Sequence, residues 1–137
     1  MNADERFEHF DRIVRDNFAF LISEYSFKVA ESDHAAGEIW LEFRSPKAVV
    51  VHVDFEPRGG VDLTLRRERA FGRTIGANIR DILPEDVAAQ IVKVPLDEYA
   101  EHEVERQISK YANVLQRYGR SILLGNDQWL KLRPRKQ

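Results

Sequence analysis

The chain contains no cysteine in its 137 residues. That absence excludes a disulfide framework and a thiolate metal centre, and it fits a reducing cytoplasm. Long apolar runs are missing as well. The longest are a few residues, against the roughly 20 a membrane-crossing helix requires, so no segment is expected to span a bilayer. The opening residues MNADERFEHF are acidic and amphipathic, without the basic start and apolar block of a secretory leader. No internal repeat, low-complexity tract or interdomain linker is visible. What is present is a hydrophobic content of 43%, enough at this length to bury a core, so one α+β domain over residues 1–137 is expected.

The net charge of −2 conceals an asymmetry. Residues 1–65 hold 7 Lys/Arg against 13 Asp/Glu, whereas residues 66–137 hold 14 against 10. The basic excess lies at Arg66, Arg67, Arg69, Arg73 and Arg80, and in the tail at Lys131, Arg133, Arg135 and Lys136. Clustered arginines in LRRERAFGRTIGANIR could contact nucleic-acid phosphates. The pI of about 6.1 and a short, mostly apolar candidate helix speak against it, and the same arginines can pair with Glu68 and the acidic first half.

The stretch EIWLEFRSPKAVVVHVDFEPRGGVDLTLRRE alternates apolar and polar residues at period two. Ile39, Leu41 and Phe43, then Val49, Val51, Val53 and Phe55, then Val61, Leu63 and Leu65 form one face, the signature of strands buried on one side. The other face carries Trp40, Glu42, Arg44, His52, Asp54, Glu56, Asp62, Thr64 and Arg66. Ser45-Pro46 and EPRGG provide the turns, with Gly59 or Gly60 able to take a positive φ. SFKVAES precedes these as a first strand, with DHAAG as the following loop. The expected sheet is a four-stranded antiparallel meander.

Two long helices flank it. Phe7, Phe10, Val14, Phe18, Leu21, Ile22 and Tyr25 recur at steps of three and four, which predicts a helix from about Ala3 to Glu24. Val104, Ile108, Tyr111, Ala112, Leu115 and Tyr118 predict a second, with Asp97 as N-cap and Gly119 at its end. Between them Ile75, Ile79, Ile82 and Leu83 suit a short helix interrupted by Pro84. Ile122, Leu123 and Leu124 make a further apolar turn, and Asp127 could cap a last helix in which Trp129 anchors the C-terminus on the core. Both long helices are expected on one face of the sheet, with Phe10, Val14, Phe18, Ile108 and Leu115 against the Val49–Phe55 row.

Catalytic and metal motifs are scarce. His102-Glu103 lacks the second histidine four residues on that a zinc-protease helix needs, because Arg106 stands there. His9, between charged neighbours, reads as solvated. No histidine spacing matches a metal site, and no cofactor motif is present. His52 and Asp54 share a strand face with Trp40 and Glu42, and a histidine beside carboxylates can serve as a general base. No serine, threonine or cysteine accompanies them in a nucleophile motif, so a binding face is the better use of these residues.

Two segments, FAFLISEYSF and ISKYANVLQRYGRSILLGNDQW, together with the order of elements between them, resemble small bacterial α+β proteins. Some proteins of that shape are treated as immunity proteins of polymorphic toxin systems. The sequence departs from that pattern at Ser26, in place of glycine, and at Asn126. The resemblance implies a non-enzymatic, protein-binding bacterial protein and carries over no catalytic residue. A small secretion-type chaperone or adaptor is the alternative within the interaction class. A partner, such as a basic toxin, is expected to meet the outer sheet face around Trp40, Glu42, His52, Asp54 and Arg66. A rival arrangement folds the C-terminal residues across that face.

Overall fold

The structure, a computed structural model, describes residues 1–68 and 74–126. Helix α1 (Ala3–Asn17) opens on a reciprocal cap: the Asn2 side chain accepts from the Glu5 N–H, and the Glu5 carboxylate accepts from the Asn2 N–H, both at 2.9 Å. Two donors that the first turn leaves unpaired are thereby satisfied. The single helix expected to run to Glu24 is interrupted at Phe18, and α2 (Ala19–Tyr25) follows. The cause is burial. Phe18 and Phe20 are both in the core and stack with ring centroids 6.1 Å apart. Residues two apart in a straight helix face opposite sides, so the chain must change direction to bury both. Asn17 eases the break by donating its side-chain amide to the Ile13 carbonyl. Ile22, placed by the periodicity on the buried stripe, is consequently 48% exposed.

Five antiparallel strands follow in meander order: β1 (Lys28–Ala35), β2 (Glu38–Arg44), β3 (Val49–Glu56), β4 (Gly60–Glu68) and β5 (Thr74–Asn78). The fifth strand corrects the expected count of four. Residues 74–78, expected at the start of a short helix, instead pair with β4 from Thr64 to Glu68. An unpaired edge offers backbone partners that a marginal helix cannot match. The first strand is also longer than expected. DHA continues the ladder, and the turn shrinks to Ala36 and Gly37, both at positive φ. That is the geometry of a tight two-residue hairpin. A register shift between Val29 and Glu31 kinks β1. At the β3–β4 turn Gly60 takes the positive φ, +78°.

The chain then forms two short helices, α3 (Ile79–Ile82) and α4 (Glu85–Ala88), and a 3-10 turn at Ala89–Ile91. Helix α5 (Glu101–Tyr118) starts four residues beyond the expected Asp97 cap, with Ala100 at the N-cap. Tyr99 immediately before it packs edge-on against Phe55, at 5.0 Å between centroids, which holds the approach in extended form. Helix α6 (Arg120–Leu123) ends the described chain; Tyr118 and Leu124, expected on apolar stripes, are largely exposed. Trp129, Asp127 and the basic tail lie outside the described residues, as do Arg69 and Arg73.

One apolar cluster unites the layers. The inward row Val49, Val51, Val53 and Phe55 joins Leu41, Phe43, Leu63 and Leu65, together with Phe10, Val14, Phe18, Ile108 and Leu115 from the helices. This is the register that the alternation implies, since a one-residue slip would have turned His52 and Asp54 into that cluster. Val50 is fully buried yet stands apart from it. Its cross-strand neighbours are Arg44 and Arg66, whose aliphatic stems suit cover over a valine. His9, expected to be solvated, is buried instead. It is 5% exposed, with Nδ1 at 2.6 Å from the Tyr99 hydroxyl and Nε2 at 3.0 Å from Glu105.

Candidate functional site

Antiparallel pairing assembles the outer face in rows, because residues directly opposite one another project to the same side. Trp40 faces Asp54, which faces Asp62; Glu42 faces His52, which faces Thr64; Arg44 faces Val50, which faces Arg66. On the other flank of β2, Asp33 faces Trp40 and Glu31 faces Glu42. The five residues expected at a partner surface thus come together on three neighbouring strands.

Their side chains form one connected chain of charge. Arg66 grips Glu42 with its two terminal guanidinium nitrogens, at 2.8 and 3.2 Å. The other contact of Glu42 is His52 Nδ1, at 2.8 Å, while His52 Nε2 faces Asp54 at 3.8 Å. Arg44 pairs with Glu68, which also stands 4.0 Å from Arg66. Trp40 is fixed by its indole N–H, which donates to Glu31 at 2.9 Å. Opposite charges alternate along the line Glu68, Arg66, Glu42, His52, Asp54, so each is stabilised by its neighbours.

This arrangement moves the titrations. The Arg66 guanidinium, helped by His52, holds the Glu42 carboxyl below the usual carboxylate value despite its burial. The Asp54 carboxylate, with Glu42 beside it, raises His52 above the ordinary imidazole value against the opposing effect of burial. Both changes favour the charged forms. A His52 with a carboxylate at each ring nitrogen is suited to remain an imidazolium, and is a poor general base for an incoming substrate.

Asp62, expected among these residues, is engaged elsewhere. Its Oδ1 accepts from Asn78 at 2.7 Å and from Arg80 at 3.1 Å, and Lys93 stands 3.4 Å from Oδ2. Arg80, one of the arginines of the candidate nucleic-acid segment, is therefore occupied, as are Arg66 on Glu42 and Arg67 on the Gly125 carbonyl. Part-buried pairing of this kind leaves those three poorly placed for phosphate contact.

A depression of about 340 Å³ opens on the outer face, lined by Glu31, Glu38, Trp40, Glu42, His52 and Asp54. Four carboxylates and one indole converge there. No family model, curated protein or solved structure matches this chain. The site must accordingly be read from its own chemistry. An indole flanked by carboxylates suits a cation: the aromatic face attracts positive charge, and the acids supply ionic partners. A larger depression, about 710 Å³, lies among Arg117, Tyr118, Arg120, Ser121 and Leu124, and among the described residues no carboxylate or histidine lines it.

Sequence reasoning missed Glu31 and Glu38 as members of this site. The signal for them lay in the hairpin: once Ala36-Gly37 is read as a two-residue turn, Glu31 falls opposite Glu42 on the same face. The register shift after Val29 obscured that alternation.

Proposed function

We propose that this chain is a non-enzymatic protein-binding module of immunity type. Its outer sheet face receives a basic segment of a protein partner, with a lysine or arginine side chain entering the depression beside Trp40. The observation that carries this reading is the convergence of Glu31, Glu38, Glu42 and Asp54 around one indole. Charge complementarity of this kind steers encounter and rejects acidic competitors. The sheet is a broad, hydrogen-bonded platform, so little ordering entropy is lost when a partner docks. A basic, nucleic-acid-cleaving toxin has the required chemistry, and a cytoplasmic location in a bacterial cell fits a cysteine-free chain. His52 and Glu42, held in ionised pairs, act as structure for the face and not as a proton-transfer couple.

The test compares wild type with Trp40→Ala and Asp54→Arg in affinity capture from the source cell, followed by titration of the recovered partner. Both variants should fold, and both should weaken binding, Trp40→Ala by about 2 kcal/mol as for an interface anchor. Unchanged affinity in both would refute this face as the docking surface.

A further inference from the structure

On the helical side of the protein, a second group of side chains converges, supplied by α1, by the residue preceding α5 and by the first turns of α5. His9 is buried in α1, and its ring sits edge-on to Tyr99, at 5.6 Å and 86°. Tyr99 is in turn wedged against Phe55. The Tyr99 hydroxyl meets Nδ1 at 2.6 Å, so the imidazole is held in one orientation. That orientation directs Nε2 at two carboxylates one helical turn apart: Glu105 at 3.0 Å and Glu101 at 3.7 Å. Among the described residues no Lys or Arg side chain forms a salt bridge with either glutamate. The depression beside them, about 390 Å³, adds Glu5 and Glu8 against Arg12, the one arginine lining it among the described residues.

The geometry points to a divalent transition-metal site, best matched to zinc, made by His9 Nε2 and one carboxylate oxygen from each of Glu101 and Glu105. Three features beyond acidity support it. The ligand set is one nitrogen and two oxygens, and all three atoms lie within 4.8 Å of one another. A tetrahedral zinc ion with bonds of about 2.0–2.1 Å sets its ligand atoms roughly 3.3 Å apart, and the two distances from Nε2 bracket that value. The other ring nitrogen, Nδ1, already has a hydroxyl partner, the arrangement by which metal-bound imidazoles are oriented. Two carboxylates with a neutral imidazole balance a +2 ion, and the half-exposed glutamates leave the fourth position open to water or a ligand.

Tyr99 lets the ring serve with and without the ion. Without metal, its O–H donates to Nδ1 while Nε2–H donates to Glu105. With metal, Nδ1–H donates to the Tyr99 oxygen and the Nε2 lone pair faces the ion. Only protons move. Hard cations such as magnesium prefer all-oxygen shells, so the site should discriminate against them.

The test is calorimetric titration of the full chain with zinc chloride and, separately, magnesium chloride. One equivalent of zinc should bind and magnesium should not. Glu101→Gln and Glu105→Gln, at half-exposed positions outside the apolar core, should each weaken zinc binding at least about tenfold, and Tyr99→Phe by about 10–100-fold. His102→Gln removes the exposed histidine on the same helix and should leave affinity unchanged. Nitrogen-15 spectra should show the His9 proton moving to Nδ1 when zinc is added. Absence of one-equivalent binding, wild-type affinity in either glutamine variant, or loss of binding in His102→Gln would overturn the site.

Discussion

Glu42 holds the outer face together more than any other side chain there, since Arg66 and His52 both depend on it. Glu42→Ala should cost about 1–3 kcal/mol in a urea titration, because a part-buried guanidinium loses its acceptor. The pH dependence has two limbs. Glu42 titrates below its ordinary value when folded, so its contribution is complete above that ordinary value of 4.5 and is lost as pH falls through the lowered one. His52 titrates above its ordinary 6.5, so its contribution is complete below 6.5 and is lost as pH rises through the raised value. In His52→Gln, the decline of stability above pH 6.5 should flatten; a slope identical to wild type would assign that limb to another group. These residues were legible in the sequence because period-two alternation fixes which side chains share a face. His9 was not. Its burial depends on Tyr99, 90 residues away, and on a stripe wider than the one read: His9 and Ile13, one turn apart, are both buried beside Phe10 and Val14.

Among the elements, the three central strands were legible throughout, since both faces and both turns carry local signals. Two of the errors fall where tertiary contacts outweigh local preference. Residues 74–78 join the β4 edge instead of starting a helix, and α1 breaks so that Phe18 and Phe20 can share the core. The β3–β4 turn permits a direct test. Gly60 has φ +78°, and a Cβ there would lie 2.2 Å from the Val94 carbonyl oxygen, a backbone atom with little room to yield. Gly59 has no positive φ, and its nearest obstacle is the Glu56 side chain at 3.3 Å. Gly60→Ala should therefore lose about 2–4 kcal/mol, combining strained backbone with the clash, while Gly59→Ala should lose under about 1 kcal/mol. Chemical denaturation of the two variants side by side measures the difference. Equal losses would mean that the Val94 segment moves away freely.

Across the whole molecule, the acidic first half and the basic second half neutralise each other locally, through pairs such as Glu42–Arg66 and Asp62–Arg80 that reach between sequence-distant strands and helices. Asp62 is the most connected of these. It lies on β4 where β5 has ended, and it ties that edge to Asn78 and Arg80, to Lys93 and, at 3.4 Å, to the Tyr111 hydroxyl on α5. Burial opposes its charge, yet the Asn78 amide, the Arg80 charge and the Leu63 N–H outweigh it and hold the carboxyl below its usual range. Tyr111, pushed up to about 12 chiefly by burial, stays a neutral donor. Removing the carboxylate in Asp62→Ala leaves the half-buried Arg80 and Asn78 and the buried Tyr111 without their shared acceptor, which should cost about 2–4 kcal/mol. The loss should not spread evenly. No side chain of β1 to β3 hydrogen-bonds or ion-pairs with this carboxylate, whereas Asn78 of β5 and Arg80 of α3 do, and local openings follow such boundaries. Under native conditions, hydrogen exchange should therefore accelerate first for the amides of residues 74–82, with β2 and β3 keeping the protection that the remaining global stability allows. Uniform acceleration across all five strands would mean that Asp62 supports the whole sheet and not its edge alone.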